Sequence, residues 1–369
     1  MAAATAARMK NPDVPVCIIE KAGKLGRKLL ATGNGRCNFT NTSCENSSEI
    51  FAFFKMLGIE AREEGQGRAY PYSGRAEDVL CAFESYLKSQ NIEVLTDSVV
   101  ESLNFDETGT ITARCGRREF PAGKVLIATG GKAGPQYGCI GDGYKLAKAA
   151  GHTVTKVFPI LAPIECAGDF SGIGGIRVKA SVSIIKKGVT LYTESGEVQF
   201  TGHGLSGICV FNLSRYIKLD DCAFDDFEIS ADLFPEFGQD ELFAELESRS
   251  KNTNIPSGNL LVSLVPRNLA AYIQERAASG QVKDIACTLK DLRFTVTKVK
   301  GWKYAQCTSG GVPLNEMDPD TMESKVKPGL YFAGEIIDYD GPCGGYNLNN
   351  AWSTGVKAGR AMASDVQDK

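Results

Sequence analysis

The sequence predicts an α/β fold in which a parallel sheet is assembled from both ends of the chain around β-rich and helical insertions. Two observations predict it. Short apolar runs ending in an acid occur at each end, VPVCIIE at 14–20 and GLYFA at 329–333 followed by Gly334-Glu335. A third run, KVLIATGG at 124–131, ends in paired glycines. Strands buried on both faces of a parallel sheet require runs this short and this continuously apolar.

The other elements follow in order. Residues 1–9 read as a helix ahead of the first strand. Runs at 92–95, 99–105 and 111–115, with turn signals at 106–109, read as a small antiparallel meander. Residues 141–151 read as a helix closing at a glycine. Short strands and Gly-rich turns dominate 158–215, whereas 239–278 is patterned as helix with a Pro-interrupted stretch at 255–266. Strand character returns at 292–298, and 351–363 reads as an amphipathic helix after an Asn-rich turn. The expected domains are 1–155 with 325–369, a β-rich domain at 156–222 with 285–324, and a small helical insertion at 223–284.

Composition excludes several classes. With 41 basic and 44 acidic residues and a net charge of -3, the chain has no electrostatic footprint for a phosphate backbone, so nucleic acid is not an expected partner. Twelve cysteines without a C-x-x-C pair read as reduced, mostly buried thiols rather than a disulfide or zinc scaffold. Two histidines, His152 and His203, leave little material for a His-based metal site or a Ser-His-Asp triad. Alanines precede Arg8 and Lys10, the reverse of a signal peptide, and no stretch reaches the length of a membrane span. A cytoplasmic protein is expected; its oligomeric state is not legible.

Glu20, an acid at the end of a strand, is placed to bond the ribose of a dinucleotide in a Rossmann-like unit. The G-x-G-x-x-G turn that accompanies such an acid lies about 20 residues earlier, which falls before Met1. The first strand and phosphate-binding turn are therefore missing from this sequence. Residues 23–41, GKLGRKLLATGNGRCNFTN, supply four glycines together with Lys28 and Arg36, a composition suited to a pyrophosphate. Residues 338–350, DYDGPCGGYNLNN, combine glycines with Tyr346, Asn347 and Asn349 as polar edges for a planar ring. Cys37 and Cys343 lie inside these segments and read as structural thiols.

Four ordered segments, EKAGKLGRKLLATGNGRCNFTN, GEVQFTGHGLSG, TSGGVPLNEMDPDTMESKVKPGLYFAGEIIDYDG and GGYNLNNAWSTGVKAG, resemble the bacterial flavoprotein family that includes 3-dehydro-bile acid delta(4,6)-reductase. The resemblance spans essentially the whole chain. It implies a Rossmann-like FAD-binding domain, FAD as cofactor and NAD(P)H as reductant. By position it makes Glu20 the ribose ligand, places Gly35, Arg36, Cys37 and Asn38 over the pyrophosphate and flavin, and makes Val100 a backbone contact to adenine. Gly130 and Gly131 form the family's ATGG turn, Gly334 and Glu335 lie near the ribityl chain, and Gly345, Tyr346, Asn347 and Leu348 at the isoalloxazine edge. A helix starting near Ala351 is expected to aim its N-terminus at the flavin.

MAAATAAR resembles the end of the family's first helix, which leaves two explanations: a start upstream of Met1, the expected one, or a protein that has lost the turn and binds FAD weakly or not at all. The implied reaction reduces a carbon–carbon double bond conjugated to a ketone, in 3-oxo-Δ4 or Δ4,6 bile-acid intermediates, with His203 and Tyr346 as hydrogen-bond or proton donors. Apolar segments between 158 and 292 would wall a steroid-sized pocket. The alternatives are a flavoprotein acting on another substrate, including RNA, and a cofactor-free interaction protein.

Overall fold

In the computed structural model, which describes residues 1–218 and 222–364, the two ends of the chain fold into one unit, Met1–Phe158 with Cys307–Lys369. A second unit is formed by Pro159–Gln306. Residues 307–324 thus fall in the first unit, and the helices of the 239–290 region share the second unit with its strands.

The first unit opens with helix α1 (Ala2–Lys10), followed by β1 (Cys17–Ile19), a 3-10 stretch at Leu29–Gly35, β2 (Thr40–Asn41), α2 (Ser47–Met56), β3 (Ala61–Glu64) and β4 (Arg68–Pro71). Helix α3 (Ala76–Ser89) and strand β5 (Glu93–Leu95) follow. Acids Glu77 and Asp78 in the first turn of α3 and Lys88 in its last complement the helix dipole, while Val79, Leu80, Phe83 and Leu87 bury one face. β5 pairs parallel with β1, Cys17 opposite Glu93 and Ile19 opposite Leu95.

The expected meander is therefore corrected. Residues 92–95 belong to the parallel pair, and the three-stranded antiparallel sheet is β6 (Ser102–Phe105), β7 (Ile111–Cys115) and β8 (Arg118–Ala122). A four-residue apolar run carries no signal of its partner. Pro121 marks 118–122 as unlike a central strand, yet β8 lies at the sheet edge, where a missing N–H is tolerated. The unit continues with β9 (Val125–Ile127), α4 (Gly143–Ala149) and β10 (Phe158–Ile160), which runs on into the second unit.

The second unit contains β11 (Ile164–Cys166), β12 (Arg177–Lys186), β13 (Val189–Thr201), β14 (Gly204–Ser206), α5 (Ile208–Ser214) and β15 (Phe227–Asp232). Helices α6 (Gln239–Lys251), α7 (Arg267–Arg276) and α8 (Val282–Lys290) precede β16 (Leu292–Val299). The strands close a barrel in the order β11-β14-β13-β12-β15-β16. Alternate residues Val182, Ile184, Val198, Phe200, Ile229, Phe294 and Val296 are buried, as the period of two demands. Closure leaves no sheet edge exposed.

The chain re-enters the first unit through β17 (Cys307–Ser309) and β18 (Leu330–Phe332), which pairs parallel with β9, and ends in α9 (Tyr346–Ser364). α9 begins at Tyr346 rather than near Ala351. Asn347 and Asn349, which look like a turn in sequence, are satisfied by side-chain bonds to neighbouring segments and so enter the first helical turn. Gly355 and Gly359 let α1 lie against α9; a β-carbon at 359 would sit 2.1 Å from the Ala3 carbonyl oxygen. Between these helices and α3 lies an aromatic core in which Phe39 stacks on Phe54 at 4.4 Å and Phe83 on Trp352 at 5.7 Å. Among the described residues no helix is long and apolar enough to cross a membrane, and no cluster of His, Cys, Asp or Glu is placed to hold a metal ion.

Candidate active site

The loop after β1 is built from unusual backbone. Gly33, Asn34, Gly35 and Cys37 all take positive φ, with Arg36 in the right-handed region between two left-handed residues. The Arg36 and Cys37 N–H groups are spent inside the loop, on the carbonyls of Gly33 and Thr32 at 3.2 and 3.0 Å. Cys37 is fully buried, and burial pushes its thiol up to about 12, which makes it unreactive at neutral pH. The Arg36 guanidinium forms a two-point pair with Glu64 and stacks 4.3 Å over the Tyr70 ring. Its charge is thus already met within the chain.

The second glycine-rich segment meets this loop directly. Thr40 Oγ1 donates to Asn349 Oδ1 at 2.6 Å, Asn41 Nδ2 donates to the Gly344 carbonyl at 2.9 Å, and Asn349 Nδ2 donates to Asn46 Oδ1 at 2.7 Å. Gly345 takes φ +103° and packs so closely that a β-carbon would lie 2.4 Å from the Thr40 carbonyl oxygen. Asn347 closes its own loop: its Oδ1 accepts the Gly341 N–H at 2.9 Å and its Nδ2 donates to the Gly341 carbonyl at 2.8 Å. Tyr346 and Leu348 are half-buried in the first turn of α9.

A charged cluster stands beside these segments. Lys28 Nζ pairs with Glu335 Oε2, while Glu335 Oε1 accepts the Thr308 N–H at 2.9 Å. Thr308 Oγ1 in turn accepts the N–H groups of Lys132 and Ala133 at 2.9 and 3.1 Å. Burial opposes the Lys28 ammonium, but Glu335 outweighs it and leaves its pKa above the ordinary lysine value. Gly131 admits this cluster, because a β-carbon there would lie 2.4 Å from Thr308 Oγ1 and 2.8 Å from Glu335 Oε1. Gly130 and Gly334 take φ +72° and +76°, and the Gly334 N–H is held by Thr354 Oγ1 at 2.9 Å. Thr308 was not singled out in the sequence; the available signal was the glycine pair after it in TSGG.

Of the remaining candidates, Glu20 accepts the Ala22 N–H at 2.8 Å. Val100 is half-buried and, like Leu103 and Phe105, packs against the core that contains Ile127 and Leu330. His203 is exposed in the turn between β13 and β14, where its carbonyl accepts the Cys166 N–H at 2.9 Å. It belongs to the second unit and Tyr346 to the first.

The residues fit a bound flavin. Asn38 is 8% exposed, and its Oδ1 is buried without a hydrogen-bond partner among the described residues, at the point where the two glycine-rich segments meet. An orphaned buried acceptor costs about 1–3 kcal/mol, and an N–H on the edge of a flavin ring is of the chemistry that satisfies it. Fold and site together define an FAD-binding α/β oxidoreductase.

Comparison with known proteins agrees. The family model described as the HI0933-like protein Rossmann domain matches residues 46–361, and the chain belongs to that family. It is 34% identical to the 3-dehydro-bile acid delta(4,6)-reductase of Clostridium scindens, over 98% of this chain and 96% of that protein. It is 28% identical to the ribosomal RNA dihydrouridine synthase of Escherichia coli, over 92% of this chain and 90% of that protein. Among solved structures, the 3-ketosteroid-delta4-(5alpha)-dehydrogenase of Rhodococcus jostii RHA1 superposes with a TM-score of 0.50 at 13% identity, covering 98% of this chain and 94% of that one. At that identity the likeness concerns the fold alone.

Proposed function

We propose that the protein is an NAD(P)H-dependent flavin reductase of carbon–carbon double bonds conjugated to a ketone, acting on 3-oxo-Δ4 or Δ4,6 bile-acid intermediates. The observation that carries this reading is the end-to-end 34% identity with the Clostridium scindens reductase. When bound, FAD supplies hydride transfer from the nicotinamide to the β-carbon of the conjugated alkene.

The chain's own residues bind and orient. Asn38 Oδ1 takes an N–H of the ring, and the left-handed backbone at 33–35 allows close approach of the diphosphate. Glu20 holds the ribose and Val100 the adenine. Lys28 and Glu335, tied to Thr308, border the ribityl chain between Gly131 and Gly334. The N-terminus of α9, which begins at Tyr346, stabilises negative charge nearby. Tyr346 is the proposed donor to the ketone oxygen; stabilising an enolate oxygen in this way is worth about 3–4 kcal/mol in comparable sites.

A second reading is favoured by the 28% identity with the Escherichia coli ribosomal RNA enzyme. Uridine also carries a double bond conjugated to a carbonyl, so both readings share one bond chemistry. The test offers flavin-loaded protein NADPH or NADH with either a 3-oxo-Δ4,6 bile acid or unmodified ribosomal RNA. Loss of the dienone absorbance without dihydrouridine formation supports the first reading; dihydrouridine with an untouched dienone replaces it by the second.

A further inference from the structure

Strands β3 and β4 bring a cation to the glycine-rich segment that carries Tyr346. In the β3–β4 register Arg68 stands opposite Glu64, the acid placed to neutralise it. Glu64 is instead held by Arg36 in a two-point pair, at 2.9 and 2.5 Å. Among the described residues the one hydrogen bond of the Arg68 side chain goes to a neutral group, from Nη2 to Gln66 Oε1 at 2.5 Å. A guanidinium has five N–H donors, so most of those on this half-buried side chain are unengaged.

Gly344 is the point on which Arg68 and Tyr346 converge. A β-carbon there would lie 3.7 Å from each of Arg68 Nε, Asn41 Nδ2 and Tyr346 Cε2. The φ of +133° keeps the position to glycine, so the space among the three side chains stays open. Asn41 has nothing to offer a ligand in it. Its Nδ2 already donates to the carbonyls of Gln66 and Gly344, at 3.0 and 2.9 Å, and its Oδ1 accepts the Ser43 N–H at 3.0 Å. The half-buried Tyr346, by contrast, has a hydroxyl with no hydrogen bond among the described residues. Arg68 and Tyr346 are thus the two groups around Gly344 with unengaged donors, and both belong to the first unit.

We infer that Arg68 is a catalytic residue which, together with the Tyr346 hydroxyl, binds the carbonyl oxygen of the substrate and holds its charge as an enolate. Once a hydride has entered at the β-carbon, the alkene pair becomes the bond between α-carbon and carbonyl carbon, and the carbonyl pair moves onto oxygen. A proton from solvent then adds at the α-carbon and restores the carbonyl. Arginine meets such an oxyanion with charge-assisted hydrogen bonds and gives up no proton to it. The inference rests on the proposed reduction of a conjugated double bond and holds for either substrate, because the ketone of a bile acid and the carbonyl of uridine both pass through an enolate.

The test follows two half-reactions of the flavin-loaded full chain by stopped flow, bleaching by NADPH and reoxidation by a 3-oxo-Δ4,6 bile acid. Arg68→Met is expected to slow reoxidation ~100-fold, the scale of one lost oxyanion donor, while bleaching stays within about twofold. Arg68→Lys, which keeps the charge, should recover part of the rate and reads the site if Arg68→Met fails to fold. Flavin content and melting temperature of each variant separate lost chemistry from lost structure. A readout apart from turnover is the binding of a bile-acid analogue with a phenolic A ring, whose phenolate mimics the enolate. Difference absorbance should show an ionised fraction of bound analogue ~10-fold or more larger in the wild type than in Arg68→Met. Should the wild type leave the dienone untouched and form dihydrouridine instead, the bile-acid reading has failed, and the inference then requires the same ~100-fold loss with RNA. Reoxidation that is unchanged in Arg68→Met, or slowed by the same factor as bleaching, overturns the inference, as does an equal ionised fraction in the two proteins.

Discussion

The α-carbon of Gly345 is pressed against the carbonyl of Thr40, so closely that a β-carbon would stand 2.4 Å from its oxygen. One contact thus joins glycine-rich segments from opposite ends of the sequence. Gly345→Ala must move the backbone and also forces φ +103° on a residue with a side chain. We expect about 2–4 kcal/mol of destabilisation and loss of most bound flavin, measured by chemical denaturation and by flavin released per chain. Near-normal flavin content would show that this contact does not shape the cradle.

Lys28 and Glu335 form a partly buried pair whose members are exposed by 28% and 18%. The double substitution of Lys28→Met and Glu335→Gln should destabilise by less than the sum of the two single substitutions, with a coupling of about 0.5–3 kcal/mol. Because Lys28 is raised, its contribution is complete below the unfolded lysine pKa and fades only as pH rises through the higher folded value. The coupling should therefore be flat from pH 6 to about 9, and a coupling that disappears near neutrality would contradict the assignment.

His152 has no exposed side-chain surface; its Nδ1 lies 2.7 Å from Glu316 Oε2 and its Nε2 2.7 Å from Ser324 Oγ. Burial raises the Glu316 pKa, but the bonds from Thr153 and His152 outweigh it and leave the carboxyl below its ordinary value. Its contribution is present above the unfolded pKa, near 4.3, and is lost as pH falls through the lower folded value. Glu316→Gln should flatten the fall in stability between about pH 5 and pH 3, followed by urea denaturation. Parallel wild-type and variant curves would remove Glu316 as a source of acid sensitivity.

Cys37 is buried with its thiol raised to about 12, whereas Cys17, Cys81 and Cys287 are exposed. Iodoacetamide at pH 8 should label the exposed three in the native protein and reach Cys37 only after unfolding. Rapid native labelling of Cys37, read by peptide mass, would mean that the loop opens.

Much of this was legible because it is written locally. The apolar runs of β1, β9 and β18 announce parallel strands, although only β18 is buried throughout and β1 leaves Cys17 exposed, and the glycines at 33, 35, 131 and 345 announce tight backbone. What was not legible depends on partners distant in sequence. The pairing of β5 with β1 has no mark in residues 92–95, and barrel closure rests on β11 meeting β16. The true start of α9 was hidden because Asn347 and Asn349 resemble turn residues until Gly341 and Thr40 are placed beside them. Thr308 was passed over because a threonine's value as a hub is set by which N–H groups surround it.

The most direct test of the central claim is an anaerobic titration of the purified protein, expressed both as this sequence and with an in-frame upstream extension. We predict a flavin absorbance that NADH or NADPH bleaches and that a 3-oxo-Δ4 bile-acid derivative restores, with a product two mass units heavier than the enone. A protein that stays colourless in both forms after incubation with FAD would contradict the flavoenzyme account, and a bleached flavin that the enone fails to reoxidise would contradict the proposed substrate.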